Sequence, residues 1–168
     1  IRKAFVASKG HVLLGADYSQ VELRIMAHLS DDLGLKKAFS EGLDIHSLTA
    51  AKIFKVPLEQ INKEQRIVGK TMNFATLYGQ GPRALSKQLK VDYATAHLYI
   101  EEYFAQFPKV KQWMQKTVEE AHKTGYVATI WGRKRFIPEL QVANKMIKAF
   151  GERAAVNHPI QGSQADMI

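Results

Sequence analysis

The segment 62–78 carries signals for both ends of a helix, and it constrains the fold more than any other stretch of the chain. Asn62 is a preferred N-cap residue, and Gln65 is placed to complete a capping box with it. At the other end, the run Gly79-Gln80-Gly81-Pro82 stops helical structure. We therefore predict one long helix over residues 62–78.

Four side chains of this predicted helix share one face because they recur every four residues, namely Arg66, Lys70, Phe74 and Tyr78. The face extends about 18 Å along the axis, and its cations lie toward the N-terminal end, where the helix dipole also favours anions. Cations followed by aromatic rings match the order of phosphates, sugar and base in a nucleoside triphosphate, with Asn73 as a further polar contact. The alternative is an amphipathic helix with an aromatic core stripe and solvated cations.

The charge around this helix weakens the second interpretation without removing it. Residues 63–90 contain six Lys or Arg side chains and a single acid, Glu64. The sequence Gly69-Lys70-Thr71 is similar to the end of a P-loop, but Glu64 occupies the position where that loop requires glycine, and no predicted strand leads into it. A Walker-type ATPase is therefore excluded.

A carboxylate ends the most strand-like segment of the chain. Residues 11–17 form a short apolar run typical of a buried strand, residues 4–9 also look extended, and helical periodicity begins at Val21. Asp17 thus lies at a strand-to-helix junction, where its oxygens suit Mg²⁺. Two such ions about 4 Å apart can activate a 3′-hydroxyl and stabilise a leaving pyrophosphate. The alternative is that Asp17 caps the next helix, with Gln20 closing the box.

The rest of the chain is mainly helical, so we predict an α+β protein rich in helix. We expect helices over 44–54, 83–89, 92–106 and 108–124, a hairpin formed by 126–131 and 135–137, and helical structure over 141–151 and 152–168, with Pro159 as a kink or a start.

Composition narrows the class of protein. The 168 residues are 46% hydrophobic and 24% charged, as in globular proteins. The absence of cysteine excludes disulfides and thiolate metal sites, and no apolar run approaches the roughly 18 residues of a membrane span. The formal charge of +8 favours a phosphate, nucleic-acid or acidic membrane partner. Because the chain starts at Ile1 and stops at Ile168 within a predicted helix, we expect it to be an excerpt of a longer polypeptide.

Several segments together resemble the family A DNA polymerases, the group of bacterial DNA polymerase I. The resemblance covers essentially the whole chain in family order, and it implies a right-hand fold with part of the palm sheet plus the helical fingers subdomain. Its palm would comprise residues 1–30 and 151–168, and its fingers residues 31–150. The matching segments are Asp-Tyr-Ser-Gln-Val-Glu-Leu-Arg at 17–24 (motif A), the Arg66, Lys70, Phe74, Tyr78 series followed by Gly79 (motif B, the O helix), Asp44-Ile45-His46, and Arg153, Asn157, Pro159, Gln161 and Gly162.

The resemblance also implies roles for individual residues. Asp17 would bind both catalytic metal ions, with help from the Tyr18 backbone carbonyl, and Glu22 would be the steric gate against a ribose 2′-hydroxyl. Lys70 would hold the triphosphate and donate a proton to the departing pyrophosphate, and Phe74 would pack on the sugar and base. The complete nucleotide site would comprise Gln20, Glu22, His46, Arg66, Lys70, Phe74 and Tyr78, and the DNA contacts would come from Tyr78, Arg153, Asn157 and Gln161.

The implied activity is template-directed DNA synthesis by a two-metal mechanism, in replication or repair. The implied cofactor is Mg²⁺, and the implied partners are primer–template DNA and dNTP, with no membrane and no obligate protein partner. A cytoplasmic location on the bacterial nucleoid is expected, and an organelle is left open. The family's second catalytic carboxylate lies in a His-Asp-Glu turn that does not occur in these 168 residues. We therefore expect the chain alone not to polymerise.

Some features of the sequence depart from the family or leave alternatives open. Val21 stands where the family usually has Ile. Ala75 stands where many members have Gly, and Ala is favoured over Gly in a helix interior by about 1 kcal/mol. A non-catalytic DNA-binding module with a polymerase-like shape is one alternative. A phage-type RNA polymerase is disfavoured by Glu22, because a ribonucleotide enzyme should tolerate the 2′-hydroxyl. The run 133–135 is predicted to be an exposed charged hairpin tip, with contact to the DNA backbone as its other interpretation.

Overall fold

The protein is described by a computed structural model of residues 1–168, except for the side chain of Arg2, and its described part is mostly helical. Two short 3-10 helices, Leu58–Gln60 and Pro138–Gln141, occur in the connections. The main elements in chain order are α1 (Val21–Ser30), α2 (Leu33–Ser40), α3 (Ile45–Phe54), α4 (Lys63–Leu77), α5 (Pro82–Leu89), α6 (Tyr93–Gln106), α7 (Pro108–Thr124), β1 (Tyr126–Ala128), β2 (Lys134–Phe136) and α8 (Lys145–Met167).

Helix α4 confirms the long helix predicted over 62–78. Its capping box is complete, because the Gln65 amide N–H donates to the Asn62 side chain (2.9 Å) while the Asn62 N–H donates to the Gln65 side chain (3.1 Å). The helix ends just before Gly79, which takes a left-handed conformation with φ 63°. Local sequence signals therefore set both ends of this element.

Gly69 allows α4 to lie directly against α3. A Cβ on Gly69 would stand 2.1 Å from the carbonyl oxygen of His46 and 2.9 Å from the amide nitrogen of Ala50. The buried Asn73 adds a polar bond across the same contact, since its Nδ2 donates to Thr49 Oγ1 (3.0 Å), and a bond within α4 to the Gly69 carbonyl (2.8 Å). This packing fixes the position of His46 relative to α4.

A single large core holds the helices together, and a smaller one lies beneath the hairpin. Buried side chains from all eight helices meet in the large core. Its largest members include Leu23, Met26, Ile45, Met72, Tyr103 and Phe107, and the smaller core comprises Ala121, Val127, Ile137, Leu140 and Ala155.

The short helix α2 is absent from our sequence predictions. Its N-cap, Asp32, is buried, and its side chain accepts a hydrogen bond from the Leu35 amide (3.1 Å). The other carboxylate oxygen accepts from the Lys109 amide (3.1 Å) at the start of α7. One carboxylate therefore joins the beginnings of two helices that are distant in sequence.

The strand predicted over residues 11–17 does not form, and residues 4–9 form no strand either. Val12 and Leu14 are 89% and 94% exposed. A strand requires a neighbour that bonds its N–H and C=O groups, and none of the described residues pairs with this segment. The hairpin prediction is confirmed in a shorter form, with β1 and β2 antiparallel and Val127 opposite Arg135.

The C-terminal region forms one helix, α8, with Pro159 inside it. The hairpin contacts this helix near the proline, where the Ile130 amide donates to Ser163 Oγ (2.9 Å). None of the helices in the described part of the chain combines the length and the apolarity needed to cross a lipid bilayer.

Candidate active site

Residues 17–20 lead into α1 through a turn, with the first three side chains exposed and Gln20 half-buried. Gln20 takes a left-handed backbone conformation with φ 53°, which is uncommon for a residue with a side chain. Arg24, in the first turn of α1, supports this segment. Its Nε donates to the Ser19 carbonyl (3.1 Å), and its guanidinium lies 4.5 Å above the Phe39 ring. The backbone at this junction is therefore held by side chains that follow it in sequence.

The alternative role of Asp17 as an N-cap is not what the structure has. Gln20 occupies the N-cap position of α1, and its side chain makes no capping hydrogen bond within the described part of the chain. Asp17 is exposed, and its carboxylate is free of the helix terminus. Capping of α1 therefore does not explain the presence of Asp17, and the functional interpretation of its carboxylate stands.

One cavity of about 180 Å³ brings the turn before α1 together with α4. The cavity lies where the N-terminus of α1 faces the aromatic part of α4. It is lined by five of the predicted site residues, Asp17, Tyr18, Gln20, Glu22 and Phe74, together with Val21, Leu23 and Gln164. Gln164 in α8 was missed by sequence reasoning, and its only signal is its place three residues after Gln161.

Glu22 and Tyr78 are joined directly. The Tyr78 hydroxyl donates to the Glu22 carboxylate, 3.0 Å from Oε2 and 3.4 Å from Oε1. Burial and the charge of Glu22 raise the pKa of Tyr78, and Gln161 near the same hydroxyl partly offsets this shift. Tyr78 therefore remains a proton donor to Glu22 at neutral pH.

Three aromatic rings form a row along α4 and α3. Phe74 stacks on Tyr78 with centroids 6.1 Å apart, and its other neighbour is His46 at 5.9 Å. Lys70 is exposed, and its Nζ lies 6.0 Å from the Phe74 ring centroid. The structure thus places a cation next to the aromatic part of the predicted nucleotide-binding face.

His46 is buried and held by Asn73, whose amide Nδ2 lies 3.3 Å from Nδ1 of the ring. Burial lowers the pKa of His46, and the charges of Arg66 and Lys70 act in the same direction, against that of Asp44. Burial and the two neighbouring cations therefore disfavour the charged form of the His46 ring.

Arg66 is engaged by a residue to which the sequence assigned no role. Its Nε donates to Asp44 Oδ2 (2.6 Å) and its Nη2 donates to Asp44 Oδ1 (3.2 Å). Asp44 also caps α3 by accepting from the Ser47 amide (3.2 Å). Burial opposes ionisation of Asp44, but the bonds from Arg66 and Ser47 outweigh it and lower its pKa to about 2.

Of the predicted DNA-contacting residues, Tyr78 lies at the end of α4 and the other three lie on α8 close to it. Arg153 packs over Gly79, with its Cγ 3.3 Å from where a Gly79 Cβ would stand. The Oδ1 atom of Asn157 is buried and has no hydrogen-bond partner among the described residues. Gln161 is exposed beside Tyr78.

The basic hairpin tip is not simply an exposed charge run. Arg133 Nε donates to Asp166 Oδ1 (2.7 Å), and Arg133 Nη2 donates to the Gly162 carbonyl (3.0 Å), so this arginine ties the hairpin to α8. Lys134 lies over the Tyr126 ring at 4.3 Å, which also limits its freedom. Arg135 is exposed.

The predicted magnesium site fits the chemistry of these residues only in part. The Asp17 carboxylate and the Tyr18 carbonyl are hard oxygen donors of the kind that Mg²⁺ prefers. Within the described residues, no three His, Asp or Glu side chains converge as a metal-binding group. The donor set on this chain is therefore incomplete, and the magnesium site stays a prediction.

Comparison with known proteins confirms the resemblance seen in the sequence. The family model "DNA polymerase family A" matches residues 1–168. Among curated relatives, the thermostable DNA polymerase I of Thermus aquaticus and the DNA polymerase I of Pseudomonas aeruginosa are each 46% identical over 168 residues, all of this chain but 20% and 18% of those proteins. The chain thus spans about a fifth of their length.

A solved structure confirms the helix-rich polymerase fold. It is the POL domain of Pol1 from M. smegmatis in complex with DNA primer-template and dNTP, and it is 44% identical with a TM-score of 0.86. The match covers 90% of this chain and 27% of that one. Sequence and fold thus give the same answer, and the chain belongs to DNA polymerase family A.

Proposed function

We propose that this chain forms palm and fingers parts of a template-directed DNA polymerase, which extends a primer 3′-hydroxyl with dNTP. Residues 1–30 and 151–168 would belong to the palm and residues 31–150 to the fingers. The observation that carries the proposal is the shared cavity, in which Asp17 and Glu22 from the start of α1 face Phe74 from α4. This arrangement suits nucleotidyl transfer. Asp17 would supply a carboxylate for metal binding, Glu22 would limit the space beside the sugar, and Phe74 would supply an aromatic ring for the nucleotide.

The face of α4 would bind the incoming nucleotide along its length. Arg66 and Lys70 lie toward the positive end of the helix and would hold the triphosphate together with His46. Phe74 would pack on the sugar and base, and Tyr78 would stack near the template base and move as the fingers close. The position of Phe74 between His46, to which it is tilted, and Tyr78, on which it stacks, supports this order.

Sugar selection would come from Glu22. The hydrogen bond from Tyr78 holds its carboxylate at the wall of the cavity, where an added 2′-hydroxyl would have no space. A carboxylate held in this way keeps one position, which is what a steric gate requires.

Asp17 and the Tyr18 carbonyl would hold Mg²⁺, with the remaining ligands coming from outside this chain. When bound, two such ions lower the barrier to attack by the 3′-hydroxyl and neutralise the pyrophosphate. Lys70 would donate a proton to the pyrophosphate oxygen as it leaves. With only this part of the donor set, the 168-residue chain by itself is expected not to extend primers.

The DNA duplex would lie against α8. Arg153, Asn157 and Gln161 recur every four residues along one face of that helix, next to Gly79 and Tyr78. The unpartnered buried oxygen of Asn157 supports a polar ligand there.

Primer extension by the full-length protein tests this function. With Mg²⁺ and dNTP, the wild type should extend a primer on its template, and Asp17→Asn should abolish extension while leaving DNA binding intact. Asp31→Asn, at the exposed other end of α1, is the matched control and should behave as wild type. A wild-type protein that binds DNA but never extends primers would favour the non-catalytic binding module instead.

A further inference from the structure

The contact between Arg66 and Asp44 uses one particular edge of the arginine. Its two bonds come from Nε and Nη2, the side edge of the guanidinium, and they reach both carboxylate oxygens. A guanidinium has five N–H donors in a fixed plane. The end edge, formed by Nη1 and the second N–H of Nη2, is not used by Asp44. Arg66 is thus able to bind a carboxylate and a phosphate at the same time.

The pair lies where a triphosphate would pass. Asp44 and Arg66 line a cavity of about 420 Å³ whose wall also contains Ser19, Gln20 and Arg24. The cavity joins the turn before α1 to the N-terminal half of α4, and its volume is within the range of ligand sites. Two guanidinium groups and one carboxylate give this space a net positive wall.

The carboxylate that holds Arg66 also begins α3. Asp44 accepts from the Ser47 amide as the N-cap of that helix, and Ser47 Oγ donates to the same oxygen. Because both helices are packed together through Gly69, the cap is fixed relative to α4. Arg66 is therefore held against a stationary partner rather than against a mobile side chain.

We propose that Asp44 is a positioning residue, which holds the side edge of Arg66 so that its end edge faces the triphosphate of the incoming nucleotide. This rests on the proposed function, in which Arg66 binds that triphosphate. A long side chain at a helix surface loses rotamer freedom when it binds a ligand, and holding it in advance removes part of this cost from binding. The ligand recognised is the phosphate end of any dNTP, so the effect is independent of the base.

The first test is Asp44→Asn in the full-length polymerase. Asparagine still caps α3, because its amide oxygen accepts from the Ser47 amide, but it loses the charge that holds Arg66. We expect KM for dNTP to rise roughly two- to tenfold, with kcat unchanged. Ser47→Ala is the control, since it removes a bond to the same carboxylate without touching Arg66, and its KM should stay at the wild-type value.

A double mutant with Arg66 separates the positioning role of Asp44 from the proposed function on which that role rests. In an Arg66→Ala background, which should itself raise KM, Asp44→Asn should have no further effect. If Arg66→Ala leaves KM unchanged, the proposed role of Arg66 in triphosphate binding is wrong. If Arg66→Ala raises KM but Asp44→Asn leaves it unchanged or lowers it, the positioning role of Asp44 is overturned.

A second variant keeps the test decisive if Asp44→Asn fails to fold. Arg66→Lys retains the charge but offers no planar fork for two parallel bonds, so KM should again rise with kcat preserved. A wild-type KM in Arg66→Lys would overturn the inference, because orientation of the cation would then be irrelevant.

Discussion

The Tyr78 hydroxyl donates a 3.0 Å hydrogen bond to the carboxylate of Glu22, a residue 56 positions earlier in the sequence. The bond joins the C-terminal end of α4 to the first turn of α1, and so connects the two segments that resemble motif B and motif A. If the fingers close as proposed, Tyr78 moves and this bond changes. Sugar selection by Glu22 and the position of α4 would then be coupled.

Replacing the hydroxyl tests that coupling. Tyr78→Phe keeps the ring that stacks on Phe74 but loses the bond to Glu22, so the carboxylate gains freedom. We expect the preference for dNTP over rNTP, measured as the ratio of kcat/KM values, to fall about fivefold, the equivalent of about 1 kcal/mol for one hydrogen bond. Tyr99→Phe, in a ring that packs on Phe54, should leave the ratio unchanged.

Two substitutions of Glu22 distinguish a steric gate from an electrostatic one. Glu22→Ala opens the space beside the sugar and should raise ribonucleotide incorporation roughly tenfold or more. Glu22→Gln keeps the size of the side chain and should retain most of the selectivity. Unchanged sugar selectivity in Glu22→Ala would remove the role proposed for this residue.

Gly69 should be intolerant of any side chain. Gly69→Ala places a Cβ 2.1 Å from the His46 carbonyl, and backbone has to move to relieve the clash. We expect a loss of about 3 kcal/mol in the free energy of unfolding, measured by urea denaturation of the full-length protein. Gly81→Ala is the matched control, because its Cβ would meet nothing within 4 Å, and a loss there of equal size would show that the clash is not the cause.

The ion pair between Asp44 and Arg66 predicts how the stability of the protein changes at low pH. The pKa of Asp44 is lowered from 3.8 to about 2, despite burial, by its bonds to Arg66 and Ser47. A carboxyl with a lowered folded-state pKa adds stability above its unfolded pKa and loses it as pH falls through the folded value. The stability difference between wild type and Asp44→Asn should therefore be constant above about pH 5 and shrink toward pH 2. Melting curves across this range would show it, and a difference that grows on acidification would contradict the pair.

DNA binding by the basic surface should depend steeply on salt. The chain carries a formal charge of +8, and each phosphate neutralised releases counterions, so the logarithm of affinity should fall linearly with the logarithm of salt concentration. Fluorescence anisotropy with a labelled primer–template would measure the slope. A flat affinity from low to high salt would argue against phosphate contacts as the main source of binding.

Local sequence signals were sufficient to predict most of the helices. Asn62 and Gln65 cap α4, Gly79 follows its end, and the four-residue spacing from Arg66 to Tyr78 placed these side chains on one face. These features could be predicted because each signal depends only on residues within a turn or two of the helix. Residues 11–17 show the limit of such reasoning. Their apolar pattern is that of a strand, but a strand forms only against a partner, and the described residues supply none.

The sequence by itself determined the family, the boundaries of most helices and the residue types of the candidate site. Only the tertiary structure showed that Asp44 holds Arg66, that Tyr78 bonds Glu22, and that Gly69 sets the distance between α3 and α4. These contacts join residues more than 20 positions apart, and no local pattern specifies them. They depend on how packed helices approach each other, which is set by the volumes of all the buried side chains together.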